Sequence, residues 1–527
     1  MSASGRFGSL ERLIGSGVRA HGVLAGLGAL GILAQAPLHL WPFAVLAWGG
    51  AFIGLNAAAD TARPLRTGAL RGLSFGFGHF LPGLYWVGQA FIDRGPEFIP
   101  LAPLGVVGLP LLLAAFWGVG GAAFVWAARR GRAGLAVFVV VFSLMEFARG
   151  HVFGGLPWHL PGYVWPAGSG IVQAFAVLGP YGVSTLSLLA FVAPAWALGA
   201  RARTPWVCVA IAFLALGGTE LWGRARLANA DAAVAPDIAL RLVQVDFTQR
   251  DKWRPENQIP VLQAYLETSV GAGLDGVTHV IWPEGALPFL VLESADVLAL
   301  LADRIGCDTR LNLGVTRREV GPDGAVRPFN AAAGLTFADG QAEIEALYDK
   351  THLVPFGEFI PGAGLLEAMG VPSLAQLVGS FERGTSRAPL RFGDAPPVSV
   401  QICYEIVFPD FTPAGEVRPG WILNVSNDAW YSTGPGLAQL FHQARLRAIE
   451  EGLPVVRSAS AGRSAVIDGY GRVRSSLAPG RRAALDAALP VSAPTTVFSR
   501  FDHLGFFFIL LALVVITVRQ GSSIASE

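Results

Sequence analysis

The sequence predicts a two-part chain: an α-helical membrane domain of eight transmembrane helices, and an extracytoplasmic α/β domain. Three observations lead there. Of 527 residues, 52% are apolar and only 15% charged, where soluble proteins carry about 25% charged residues; mean hydropathy is +0.49. The apolar runs fill roughly 20–222, stop, and return once near 503–519. Between them, strand-like and helix-like segments alternate, the pattern of an α/β domain. A net charge of +1 gives no nucleic-acid footprint. The three cysteines, Cys208, Cys307 and Cys403, include no C-x-x-C pair, so neither zinc nor a redox dithiol is expected.

The expected spans are 20–36, 39–57, 69–91, 102–128, 133–149, 170–198, 205–222 and 503–519, most of them near the ~20 residues needed to cross the hydrocarbon core. Arg6, Arg12 and Arg19 precede the first run and no small-residue cleavage site stands out, which reads as an uncleaved first helix. Arg63, Arg66 and Arg71 fall between or at the edges of the second and third spans. Arg129, Arg130 and Arg132 follow the fourth, Arg201 and Arg203 the sixth, and Arg519 ends the eighth. With a cytoplasmic N-terminus, eight spans put all of these on the cytoplasmic side. The expected domains are therefore 1–222 with seven helices, 223–502 outside, and 503–527 as a last helix and tail.

Within the helical part, Glu146 and Arg149 stand three apart, share a helix face and can pair. The Gly- and aromatic-rich stretch 72–88 suggests close helix packing. Segment 153–163 reads as a loop at the outer interface, anchored by Trp158 and Tyr163.

Beyond 223 the expected strands are 238–245, 277–282, 311–317, a strand ending at Cys403, 421–425, 454–458 and 464–467, with helices at 258–270, 295–305 and 437–450. Val398, Val400 and Ile402 alternate with Ser399 and Gln401, a half-buried strand by pattern. A thiol where such a strand stops is held rigidly and can face a cleft; its bland alternative is a small buried hydrophobe. Two further tight segments present reactive groups: W-P-E-G gives Glu284, and Y-D-K-T-H-L-V-P-F-G-E gives Lys350 and Glu358. Glu405 lies two residues past Cys403. Acyl transfer through a thiol needs a base for the thiol proton and a donor for the oxyanion. A carboxylate and an ammonium can supply them, although a helix cap, a surface charge or a salt bridge would explain each residue singly.

These segments resemble the nitrilase (carbon-nitrogen hydrolase) superfamily, in which Glu, Lys and Cys occur in this order on an α/β domain. With eight expected helices, the chain is similar to the apolipoprotein N-acyltransferase family. The likeness is carried by G-F-G-H-F-L-P-G-L-Y-W, E-F-A-R-G with G-L-P-W, K-W at Trp253, W-P-E, K-T-H-L-V-P-F-G-E-F-I-P, I-C-Y-E and N-V-S-N-D-A-W. It implies an αββα sandwich, with Glu284 as general base, Lys350 as oxyanion stabiliser and Cys403 as nucleophile. Glu358, Tyr404 and Glu405 match supporting positions, and Trp253 matches a tryptophan involved in substrate handling.

The resemblance further implies a two-step transfer through a thioester on Cys403. The acyl donor would be a membrane phospholipid, phosphatidylethanolamine by expectation. The acceptor would be the α-amine of S-diacylglyceryl-cysteine on an apolipoprotein. No cofactor and no metal are implied, and the site would face the periplasm from a bacterial inner membrane. Cys307 is expected to be buried and unpaired, because a bridge to Cys403 would block the thiol. The competing readings are a membrane-tethered nitrilase-type amidase for a small substrate, and a scaffold or transporter with a degenerate domain.

Overall fold

The computed structural model describes residues 11–12, 14–132, 134–200, 203–355, 357–359, 381–413, 417–431 and 434–525. It divides into two compact units. One comprises Met1–Ala230, Thr433–His442 and Thr496–Glu527; the other comprises Asp231–Ser432 and Gln443–Thr495.

In the first unit, helices lie at every stretch read as a span: α1 (Gly17–Gly31), α2 (Pro42–Asn56), α3 (Pro64–Leu84), α4 (Leu109–Ala128), α5 (Leu135–His151), α6 (Phe175–Leu198), α7 (Thr204–Ala228) and, last in the chain, Leu504–Ala525. Among the described residues, five helical stretches are long and apolar enough to cross a membrane: Gly17–Ala34, Pro96–Ala128, Leu135–Gly154, Ile171–Leu198 and Thr204–Ala228. Pro42–Asn56 and Leu504–Val518 are apolar but shorter.

α3 is the hub of the packing, and glycine explains how. A Cβ on Gly72 would stand 2.2 Å from the carbonyl oxygen of Trp117 on α4, so the two backbones touch only because that atom is missing. Against this seam Trp117 stacks on Phe75, with centroids 4.9 Å apart, and donates its indole N–H to Glu146 on α5 at 2.5 Å. Glu146 also pairs with Arg149, both of them buried. The pair is therefore interior to the helical unit, with its charges partnered inside the protein.

Trp158 and Tyr163 depart from the expectation of interface anchors. Both are buried. Residues 152–174 fold as short 3-10 turns over α6 instead of lying open. Trp158 Nε1 donates to Gln439 at 2.8 Å, Gly162 N to Ser184 at 3.0 Å and Trp165 Nε1 to Ser187 at 2.9 Å.

The second unit is a two-sheet sandwich. Its strands are β1 (Val234–Gln244), β2 (His279–Ile281), β3 (Arg310–Val320), β4 (Val326–Ala338), β5 (Gln341–Asp349), β6 (Val398–Ile402), β7 (Trp421–Asn427), β8 (Val455–Ser460), β9 (Ala465–Ile467), β10 (Val473–Ser476) and β11 (Ala483–Pro490). A six-stranded sheet runs β11-β1-β2-β3-β4-β5 and a five-stranded sheet runs β10-β9-β8-β7-β6. Strands β1, β2 and β3 pair in parallel, as do β6, β7 and β8.

Between the sheets, Leu240, Leu242, Ile281 and Tyr348 meet Val400, Ile402, Leu423 and Val456. On the outer face of the larger sheet, α8 (Gln258–Val270) and α9 (Ala295–Ile305) bury Leu262, Tyr265, Leu301 and Ile305 against Val280, Trp282 and Leu313. At ~25 cal/mol per Å² of apolar surface removed from water, such burial is the main stabilising term. α10 (Gly436–Glu451) places buried Ala444, Leu446, Ala448 and Ile449 in this unit.

Two expectations fail here. β6 is buried on both faces rather than half-buried; Ser399 and Gln401 are only 2% and 1% exposed. The polar residues of the period-2 pattern mark a covered face rather than solvent: Gln401 donates its Nε2 to Thr412 Oγ1 at 3.2 Å, while its Oε1 is buried without a partner among the described residues. Cys307 is exposed, not buried, because it sits in the turn between α9 and β3.

Candidate active site

Three strand ends of the sandwich present the predicted groups. Glu284 follows β2 in a turn pinned by Trp282 N to the Asn312 carbonyl at 2.8 Å. Neighbouring Gly314 of β3 makes room for it, since a Cβ there would lie 2.4 Å from the Glu284 Cα. Lys350 is the first residue past β5, its N–H donating to the Asn330 carbonyl of β4 at 2.8 Å. Cys403 is the first residue past β6 and opens a 3-10 turn, Cys403–Val407.

Cys403 has φ +50, a left-handed conformation that costs a non-glycine residue ~1–2 kcal/mol. Such strain persists only where the surroundings enforce it. Glu405 is the enforcer. Its Oε2 accepts from Ile402 N at 2.7 Å. Its Oε1 accepts from Thr351 N at 2.7 Å, His352 N at 2.9 Å, Thr351 Oγ1 at 3.1 Å and Tyr348 Oη at 2.9 Å. One carboxyl group thus ties the cysteine turn to the lysine loop.

The three side chains converge. Lys350 Nζ lies 2.9 Å from Glu358 Oε1 and 3.5 Å from Glu284 Oε1. The Cys403 thiol lies beside the Glu284 carboxylate, close enough for each to shift the other's titration, and beside the Ser426 hydroxyl. Asn330 Nδ2 donates to both carboxylates, to Glu284 at 2.8 Å and Glu358 at 2.7 Å. Asn427 N, at the end of β7, donates to Glu284 Oε2 at 2.7 Å. All three reactive residues are buried, Lys350 at 1% exposure.

Burial alone would raise the Glu284 carboxyl, but Lys350, Asn330, Asn427 and the thiol outweigh it and hold the group below its ordinary value. Burial likewise opposes charge on Lys350, yet Glu358 and Glu284 keep its ammonium charged well beyond neutral pH. The Cys403 thiol is pushed up, first by burial and then by the Glu284 charge, with Lys350 pulling the other way. The resting arrangement is therefore a neutral thiol beside an ionised carboxylate, with an ammonium 3.5 Å from that carboxylate. It can pass a proton from sulfur to carboxylate and place positive charge beside a nascent oxyanion. A metal ion does not fit: the Oε1 atoms of both carboxylates are already taken by Lys350 and Asn330, whose donors would compete with it.

The sequence matches known proteins over nearly its whole length. The profile of the apolipoprotein N-acyltransferase N-terminal domain matches residues 27–193, and the carbon-nitrogen hydrolase profile matches 240–493. An apolipoprotein N-acyltransferase of Rhodopseudomonas palustris is 35% identical over 93% of each chain. Those of Bradyrhizobium diazoefficiens and Caulobacter vibrioides are each 35% identical over 94% of this chain and 93% of their own. The chain belongs to the apolipoprotein N-acyltransferase family. It is thus a membrane-associated acyltransferase of lipoprotein biosynthesis, built from apolar helices and a carbon-nitrogen hydrolase domain.

In this N-acyltransferase family member, the supporting residues divide. Glu358 and Glu405 lie inside the hydrogen-bonded cluster. Tyr404 borders it, its ring 4.9 Å from Phe408, which in turn lies 3.9 Å from His352. Trp253 does not join it: the ring is 52% exposed, at the end of a short helical turn, Gln249–Lys252.

Several residues of the cluster were missed by sequence reasoning. Asn330 bridges the two carboxylates. Asn427 also holds Gln249 at 2.9 Å. Lys252 is buried and donates to the Gly285 carbonyl at 2.8 Å; burial brings its ammonium down to about 8, with Glu284 opposing. Behind the thiol, Ser426 donates to Asp428 at 2.6 Å, and Asp428 accepts two bonds of 2.7 Å from buried Arg457. N-V-S-N-D-A-W flagged Ser426, Asn427 and Asp428, and K-W flagged Lys252, as motif without role; no motif flagged Asn330 or Arg457.

Proposed function

We propose that this chain transfers an acyl group from a membrane phospholipid to the N-terminal α-amine of S-diacylglyceryl-cysteine on apolipoproteins, through a thioester on Cys403. The relatives' names support the acceptor class, and phosphatidylethanolamine is the donor proposed. The observation that carries the mechanism is the Cys403–Glu284–Lys350 convergence.

In the first step Glu284 takes the thiol proton as sulfur attacks the ester carbonyl carbon, and Lys350 faces the oxyanion. Collapse breaks the acyl C–O bond; the glycerol oxygen leaves as lysophospholipid with the proton held by Glu284. In the second step the neutral amine attacks the thioester carbonyl, Glu284 takes a proton from nitrogen, and the sulfur leaves and is reprotonated. Trp253, Tyr404, Glu358 and Glu405 are proposed to shape substrate access and the base–ammonium geometry.

The same proposal takes eight spans, a helical domain of 1–222 with a last helix at 503–527, and a catalytic domain of 223–502 on the periplasmic side of a bacterial inner membrane. The arginine distribution supports that sidedness.

The test is intact mass. Incubated with phospholipid and no acceptor, the protein gains one acyl chain, hydroxylamine removes it, and Cys403→Ala gains nothing. Turnover of small amides without a long-chain adduct would instead favour a tethered amidase, and neither result would leave a scaffold.

A further inference from the structure

The close approach of α3 and α4 has a second consequence at one end of the helical unit. It brings the start of α3 beside the end of α4, and a solvent-open depression of about 540 Å³ lies between them. Arg63, just before α3, and Arg66 within it line one side; Trp126 of α4 and Arg129 and Arg130, just past its end, line the other. Four arginines line one space, Arg130 donating also to the Trp126 carbonyl at 3.3 Å, and among the described residues no carboxylate forms an ion pair with any of them. Like charges around one space repel unless an anion is shared between them.

The walls are mixed in character. Leu65 and Trp126 are 45% and 49% exposed, and the Arg130 guanidinium sits 3.9 Å over the Trp126 ring. The site lies where an apolar helix ends, the level at which tryptophan and arginine meet lipid headgroups. Planar guanidinium groups match phosphate oxygens two by two, and the volume lies within the range of small-ligand sites. A free phosphate would use the arginines but leave the Trp126 and Leu65 wall uncovered; a phospholipid would use both.

We infer that this cavity binds the phosphodiester headgroup of an anionic phospholipid, with Arg63, Arg66, Arg129 and Arg130 around the phosphate and Trp126 and Leu65 against the glycerol and first acyl carbons. By the arginine distribution this is the cytoplasmic leaflet. The site is separate from the acyl-transfer chemistry and rests on that reading only for the leaflet it faces.

Native mass spectrometry of the full-length, delipidated protein tests it, with phosphatidylglycerol, phosphatidylcholine and inorganic phosphate as probes. Phosphatidylglycerol should be retained in preference to phosphatidylcholine. R63Q/R66Q should weaken phosphatidylglycerol retention about thirtyfold, since each of the two basic residues near a lipid surface contributes ~1 kcal/mol, and leave phosphatidylcholine unchanged. R304Q, on exposed α9, should change nothing. Should R63Q/R66Q fail to insert, R63K/R66K keeps charge and orientation but loses the paired phosphate contact, and should still weaken retention severalfold. Equal retention of the two lipids, or undiminished retention in whichever pair is recovered, would overturn the inference. Displacement of phosphatidylglycerol by inorganic phosphate at equal concentration would overturn it too, reducing the cavity to a free-anion site.

Discussion

Glu405 makes no bond to substrate in the proposed chemistry, yet five donors converge on it. Burial pushes its carboxyl up to about 7, against the pull of Lys350 and of the Ile402, His352 and Tyr348 donors. A raised carboxyl binds protons more tightly in the folded state than in the unfolded one. Its stability contribution is therefore complete below the unfolded value of ~4.3 and lost as pH rises through about 7. Glu405→Gln keeps Oε1 but turns an NH2 toward the Ile402 N–H, which should cost ~1–3 kcal/mol. In thermal melts the variant should start lower, and its gap to wild type should narrow as pH rises through that window. The sequence exposed this residue through I-C-Y-E, because a reactive motif is local. Asn330 was not legible: it is a lone amide in F-N-A-A-A, and only the β3-β4-β5 register brings it to Glu284 and Glu358.

At the scale of elements, the α3–α4–α5 seam concentrates risk in one buried pair. Glu146→Leu leaves the Arg149 charge unpaired, although Arg149 keeps its bond to the Leu156 carbonyl, and should cost ~3–5 kcal/mol, whereas removing both charges is often near neutral. Melting of the detergent-solubilised protein should thus show Glu146→Leu far below wild type and Glu146→Leu/Arg149→Leu substantially recovered. A double variant no better than the single one would show that the pair contributes by its own attraction.

Legibility of the elements followed composition. α8 and α9 matched their expected limits because each is a compact amphipathic run bounded by Gly or Ser. β4 and β11 were not read at all. V-R-P-F-N-A-A-A-G-L-T-F-A and A-A-L-D-A-A-L-P are rich in Ala, Pro and Gly, weak strand formers by local preference. Each becomes a strand through its neighbours, β11 by antiparallel pairing along β1.

At the scale of the whole molecule, composition announced a membrane protein with an appended α/β domain, and motif order pointed to the acyltransferase family and to the chemistry proposed here. What composition could not give was the protonation state at rest, which depends on which groups surround a buried thiol. In the proposed mechanism Cys403 is a neutral thiol deprotonated by Glu284 during attack, not a preformed thiolate paired with Lys350. Single-turnover acylation of Cys403 by a defined phospholipid, followed against pH in wild type and Glu284→Gln, addresses it most directly. Because Glu284 is held below its ordinary value, the wild-type rate should stay level from pH ~8 down to ~5, above the ordinary carboxylate range, and fall only beyond. Glu284→Gln should lose ~10²–10⁴ of that rate. A wild-type rate climbing tenfold per unit through pH ~7–9, as a titrating thiol would give, or a Glu284→Gln protein acylated as fast as wild type, would contradict it.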